Sequence, residues 1–218
     1  MTYAYPEGEG NVIENACFHI RKGETVAFVG SSGAGKSTIV DILLGLLPPQ
    51  QGKILVDGMD VYKNLRTWQK EIGYIPQTIY LSDDSIRNNV AFGIEEENID
   101  EQAVIAALKQ AQLYDFVDTL PEGLDTCVGD RGIRLSGGQR QRIGIARALY
   151  HKPEILVLDE ATSALDNDTE AAVMEAIDSL KGQKTIIIIA HRLTTIKNAD
   201  TVYEVKDGKV EQTTGVNT

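Results

Sequence analysis

Nine consecutive residues concentrate the groups needed to hold a polyphosphate. Gly30, Ser31, Ser32, Gly33, Ala34, Gly35, Lys36 and Ser37 fit the pattern G-x-x-x-x-G-K-[ST], and Thr38 closes the stretch. Glycines permit tight and left-handed backbone, so successive N–H groups can turn inward to phosphate oxygens beside the positive end of a helix. Lys36 adds a full charge suited to β- and γ-phosphates, and the Ser37 hydroxyl is a candidate ligand for Mg²⁺.

A metal held beside phosphates needs a carboxylate. Asp159 and Glu160 follow the apolar run Ile155-Leu156-Val157-Leu158, and Asp159 is expected on the metal side. Glu160 could polarise a water for attack on the terminal phosphate; a helix cap or a solvated acid is the alternative reading. A second anion nest is written in Leu135-Ser136-Gly137-Gly138-Gln139: Ser136 suits an N-cap, two glycines let backbone approach a phosphate, and a helix should start at once.

These groups need buried strands and packed helices to hold them. Residues 25–29, 155–158 and 185–190 are apolar runs without the alternation of a half-wet strand, as expected for a parallel sheet covered on both faces. Val173, Ala176, Ile177 and Leu180 recur at helical spacing, as do Val104, Ala107, Leu108 and Ala111. The phosphate loop should lead into a helix over residues 39–47, ended by Leu47-Pro48-Pro49. Residues 16–20 and 53–56, the latter closed by Asp57-Gly58, predict a small antiparallel β-lobe. The expectation is an α/β fold: a P-loop NTPase core with a mainly parallel sheet, an antiparallel β-lobe and a helical subdomain. Residues 1–218 are read as one domain, the β-lobe and core over about 1–78 and 151–218 and the helical subdomain over about 79–150.

Composition narrows the partners. The 21 Lys and Arg against 32 Asp and Glu give a net charge of -11, which disfavours general attraction to nucleic acid or anionic lipid. No apolar run reaches the roughly 20 residues needed to span a bilayer. Cys17 and Cys127 lie far apart without metal-ligand spacing, so neither a zinc site nor a structural disulfide is expected.

Leu135 to Gln139, followed by Arg140-Gln141-Arg142, resembles the signature sequence of ATP-binding cassette (ABC) ATPases. The resemblance covers nearly the whole chain. Gln77 resembles the glutamine that contacts metal and attacking water, and Ser163-Ala164-Leu165-Asp166 the loop that crosses a dimer interface. His191 resembles the switch histidine at the γ-phosphate, and Tyr5, before Pro6, the aromatic that stacks on adenine. Taken singly, Gln77 also reads as a surface amide, His191 as a structural histidine and Tyr5 as an edge-strand tyrosine. The resemblance implies ATP and Mg²⁺ as ligands, with Ser37, Gln77 and Asp159 at the metal. It also implies that Ser136, Gly137, Gly138, Gln139 and Asp166 of one copy complete the site of another in a head-to-tail, ATP-bridged homodimer.

Val128-Gly129-Asp130-Arg131-Gly132 resembles the short loop of exporter-type members that touches the partner membrane domain. Leu81, Ser85-Ile86 and Asn88-Asn89 resemble the segment that receives a coupling helix. Asp130 stands where Glu is common and Thr78 where an acid is common, which leaves the fine contacts open. The little room for a first strand before Tyr5, and the end at Thr218 without a helical tail, suggest an excised domain. Its membrane domain, fused in the full-length protein, would be absent from this chain. The domain itself would be soluble and lie on the cytoplasmic face of a plasma or inner membrane. The transported substrate is not encoded in these residues.

Overall fold

The computed structural model describes residues 1–8, 10–161, 165–190 and 196–213. A six-stranded sheet has the order β4-β5-β6-β1-β7-β8, formed by Ile72–Ile75 (β4), Ile155–Asp159 (β5), Thr185–Ile189 (β6), Thr25–Val29 (β1), Thr201–Lys206 (β7) and Lys209–Thr213 (β8). β1 pairs in parallel with both β6 and β7, β5 pairs in parallel with β6, and β8 runs antiparallel to its neighbour β7. The central position of β1 and β6 explains their unbroken apolar sequence: a strand paired on both edges and covered on both faces has no wet side. A separate two-stranded antiparallel sheet joins Leu55–Val56 (β2) to Met59–Asp60 (β3) across Asp57-Gly58. The fold is therefore the mixed α/β class, mainly parallel with a small antiparallel piece, that the sequence predicts.

The chain divides into two compact units. The first comprises Met1–Ile72, Glu154–Glu160 and Gly182–Thr218, the second Gly73–Pro153 and Ala161–Lys181. In the first, the core gathers Val26, Phe28, Ile39, Ile42, Val157, Ile187 and Tyr203 between the sheet and Lys36–Leu43 (α1). Phe28 stacks on Tyr203 at 5.5 Å, and Phe18 meets Phe28 edge-on at 5.0 Å. The helix Leu65–Lys70 (α2) also belongs to this unit. The second unit is mostly helical: Ile86–Val90 (α3), Glu101–Gln110 (α4), Tyr114–Asp118 (α5), Gly137–Tyr150 (α6) and Asn167–Asp178 (α7). The apolar stripes expected to pack do so, with Val104, Ala107 and Leu108 of α4 and Val173, Ala176 and Ile177 of α7 all buried.

Three local expectations change. Residues 16–20 form no strand: Ala16 pairs with Met1, and both His19 backbone groups bond the Tyr203 hydroxyl. The helix after the phosphate loop begins at Lys36 and ends at Leu43, well before Leu47-Pro48-Pro49. Gly45 stops it, at φ 75, with Gly45 N–H donating to Ile42 O at 3.1 Å and Leu46 N–H to Asp41 O at 2.8 Å. This is the paired bonding of a Schellman terminus. A Cβ at Gly45 would lie 2.2 Å from Leu65 Cδ1, so the position is closed to side chains by packing as well as by its left-handed backbone. Finally, β7 and β8, which no sequence pattern above predicts, form a hairpin around Asp207-Gly208, both with positive φ.

Candidate functional site: a phosphate loop and a second anion nest

In the first unit, β1 delivers the chain to Gly30 at φ 153, where an added Cβ would lie 2.2 Å from the Val205 carbonyl oxygen of β7. The loop thus leaves the sheet where no side chain fits. It ends in Gly35, the left-handed N-cap of α1, with no side-chain cap and no acidic residue in the first turn. The first N–H groups of α1 and its positive end are consequently left for an anion. Ser31, Ser32, Gly33 and Ser37 are exposed on this loop, while Lys36 and Thr38 are buried.

Lys36 does not extend into solvent. Its Nζ donates to the carbonyl oxygens of Gly30 and Ser31, both at 2.9 Å, folding the ammonium over the loop. Burial draws the Lys36 pKa below the ordinary lysine value, and the negative charges of Glu160 and Asp159 oppose that shift. The electrostatics therefore bring together loop, lysine and carboxylates in one unit.

Asp159 ends β5, and Glu160 leaves the strand in a left-handed conformation, φ 48, with its N–H donating to Ile189 O of β6 at 3.1 Å. That conformation costs a non-glycine residue roughly 1–2 kcal/mol. Ile189 anchors the turn that places the Glu160 side chain. Ser37 and Asp159 offer a hydroxyl and a carboxylate, hard oxygen donors of the kind that suit Mg²⁺ when phosphates supply the other positions. No group of three or more His, Cys, Asp or Glu able to hold a metal ion occurs among the described residues, and a metal shared with phosphates needs none. Tyr5 is 41% exposed, and its hydroxyl shares a hydrogen bond with Thr38 Oγ1 at 3.2 Å.

In the second unit, Ser136 caps α6 through a reciprocal pair: Gln139 N–H donates to Ser136 Oγ at 3.2 Å, and Ser136 N–H donates to Gln139 Oε1 at 2.8 Å. The capping box is legible in the S-x-x-Q spacing but goes beyond the simple N-cap expected above. It leaves the Ser136 hydroxyl proton available to a phosphate oxygen and commits the Gln139 amide oxygen to the helix start.

Gly138 has a packing reason for its missing side chain. A Cβ there would lie 2.4 Å from Thr169 Cγ2 on α7. Thr169 is in turn fixed by Asp166, whose carboxylate accepts from Thr169 N–H at 3.0 Å and from Thr169 Oγ1 at 2.7 Å. Those bonds hold the Asp166 carboxyl below its ordinary pKa, the side-chain bond from Thr169 being the largest cause. Asp166 is the N-cap of α7, and the unit links it to Gly138 through one threonine.

Gln77 is exposed two residues after β4. Ser163, Ala164 and His191 lie outside the described residues.

A strong constellation centres on a residue that none of the motifs above marks. Arg147, in the last turn of α6, donates Nε to Asn89 O and Nη1 to Tyr80 O, each at 2.8 Å, and Nη2 to Asn89 Oδ1 at 3.2 Å. Its guanidinium carbon lies 4.7 Å from the Phe92 ring centroid. Burial lowers its pKa. Asn89, fully buried, also accepts from Ser82 N–H and donates to Ser82 O and Ser85 O, all at 3.0 Å. This polar knot bonds the backbone of Tyr80 and lies against the ring of Phe92, both residues exposed, in the segment singled out above by Leu81, Ser85, Asn88 and Asn89. An isolated arginine in a helical pattern gives no hint of such a partner set.

Residues 13–163 match the family model described as ABC transporter. An ATP-dependent lipid A-core flippase of Methylobacillus flagellatus is 44% identical over 211 residues, covering 96% of this chain and 36% of that protein. An ABC-type transporter of Aspergillus fumigatus is 42% identical over 212 residues, covering 96% of this chain and 16% of that protein. Among solved structures, a bacterial Atm1-family ABC exporter with ATP bound superposes with a TM-score of 0.85 at 39% identity, over 97% of this chain and 37% of that one. The chain thus spans about a third of the flippase and of the solved exporter.

Proposed function

Because the chain belongs to the ABC transporter family, we propose that it is the nucleotide-binding domain of an exporter, in which ATP binding and hydrolysis drive export or flipping of a substrate. The observation that carries the catalytic reading is Lys36, folded over the phosphate loop within the field of Glu160 and Asp159. A triphosphate at the exposed loop meets the free N–H groups of α1 and the Lys36 charge. Glu160 accepts a proton from the water that attacks the γ-phosphorus; the bond to the β-phosphate oxygen breaks, leaving ADP and phosphate. Gln77 and His191 orient the reacting groups. Ser37 and Asp159, with Gln77, would hold Mg²⁺, which supplies neutralising charge to the phosphate oxygens.

Tyr5 stacks on the adenine. Ser136, Gly137, Gly138, Gln139 and Asp166 of a second copy complete each site, so the working unit is an ATP-bridged dimer. The share of the relatives' length that this chain covers supports a fused membrane domain. Its coupling helices meet the Tyr80 and Phe92 surface and the 128–132 loop on the cytoplasmic face of the membrane. No helix among the described residues is long and apolar enough to cross a membrane. No nucleic-acid partner is proposed, given the net charge of -11.

The test is Glu160→Gln. It should retain ATP binding, lose turnover and accumulate an ATP-dependent dimer, read by a phosphate-release assay and by sedimentation. Turnover at the parent rate would remove Glu160 from the chemistry.

A further inference from the structure

The backbone beside Tyr5 is clamped by a residue that no phosphate-binding pattern includes. Gln50, in the loop after α1, closes both backbone groups of Ala4: Ala4 N–H donates to Gln50 Oε1 at 2.9 Å, and Gln50 Nε2 donates to Ala4 O at 2.7 Å. One side-chain amide thus does at this residue what a neighbouring strand would do. The same loop is tied to the chain just before it, with Gln50 N–H donating to Thr2 O at 3.0 Å and Thr2 bridging Gln51.

The far end of Tyr5 is held as well. Its hydroxyl meets Thr38 Oγ1 at 3.2 Å, and Thr38 is buried in the first turn of α1, two residues beyond Lys36. Tyr3 packs edge-on against the ring, centroids 5.1 Å apart at 88°. An exposed tyrosine held only by its own backbone would have to be ordered by a ligand at the ligand's expense, whereas a ring already fixed at backbone, edge and hydroxyl spares most of that loss.

We propose that Gln50 and Thr38 are positioning residues that hold the Tyr5 ring ready for a nucleobase, and that Thr38 ties this platform to the same helix that carries Lys36. The proposal rests on the reading of Tyr5 as the base platform. Base and phosphate recognition are then two ends of one rigid piece, α1 with its flanking loops, and the base contributes its full affinity only while both ties are intact.

The chain is titrated with Mg-ATP and, separately, with inorganic triphosphate and Mg²⁺, which offers phosphates without base or ribose. The readout is the ratio of the two affinities in the parent, Tyr5→Ala, Tyr5→Phe and Gln50→Ala. Loss of stacking in Tyr5→Ala should lower the ratio about tenfold. Tyr5→Phe keeps the ring but loses the tie to Thr38, Gln50→Ala loses the clamp, and each should lower the ratio about threefold. A ratio that falls in Tyr5→Ala but keeps its parent value in Tyr5→Phe and Gln50→Ala overturns the positioning role and leaves the platform standing. A ratio unchanged in Tyr5→Ala overturns the platform and the positioning role together. Equal loss of both ligands in Gln50→Ala, the mark of general loosening, also overturns the proposal.

Discussion

Replacing Gly138 by alanine separates two reasons for a glycine in the second anion nest. The new methyl would stand 2.4 Å from Thr169 Cγ2, more than 1 Å inside an ordinary carbon–carbon contact of about 3.5–4.0 Å. Thr169 cannot swing aside cheaply, because its hydroxyl and its N–H are both bonded to Asp166. The strain must be taken up by α6 and α7 moving apart. Overpacking of this kind costs about 1–3 kcal/mol, and at this chain length each kcal/mol lowers Tm by about 2–4 °C. Gly138→Ala should therefore melt on the order of 5 °C below the parent in a calorimetric scan.

Thr169→Ser removes the clashing methyl and keeps the hydroxyl that Asp166 holds. The double variant should recover most of the lost Tm. An unchanged Tm in Gly138→Ala, or no recovery in the double variant, would refute the packing argument. Turnover of the double variant then tells whether backbone approach to a phosphate is a second, independent demand at Gly138.

Other expectations follow from single observations. Lys36→Ala removes the ammonium folded over Gly30 and Ser31, and titration calorimetry should detect no ATP binding at concentrations that saturate the parent. Asp41 lies near the C-terminal end of α1, where a carboxylate opposes the helix dipole, and burial raises its pKa. Between the ordinary carboxylate pKa and this raised value the folded state holds a proton that the unfolded state has lost, so stability falls as pH rises through that window. Asp41→Asn should be more stable than the parent at pH 7, with the difference fading below the ordinary carboxylate range; equal melting curves at both pH values would contradict this. Arg147→Lys keeps the charge but cannot reach all three acceptors or lie over Phe92 as the planar group does. A loss of about 2 kcal/mol in a denaturant titration is expected.

The parts legible in the sequence are those whose cause is local. Glycine spacing and a following lysine specify the phosphate loop, an unbroken apolar run specifies β1, and Ser136 specifies the start of α6. The S-x-x-Q box and the Asp207-Gly208 turn of the β7–β8 hairpin are local signals of the same kind. What the sequence could not disclose depends on distant partners. Gly45 ends α1 at a position that Leu65 crowds, Glu160 takes a left-handed turn that Ile189 secures, and Gly138 is small because Thr169 stands over it. Residues 16–20 fail as a strand for the same reason, since apolar alternation cannot say whether a second edge lies alongside.

The helix α6 carries Ser136 at its head and Arg147 in its last turn. Eleven residues at about 1.5 Å each separate them, roughly 16 Å of straight rod. Arg147 grips the backbone of Tyr80 and Asn89 without an intervening flexible contact. A tilt of the rod by about 5° about its head would carry the gripped segment sideways by roughly 1.5 Å. The helix thus has the mechanical form of a lever, whose loaded end is fastened by hydrogen bonds to neutral carbonyls rather than by a charge pair that salt could loosen.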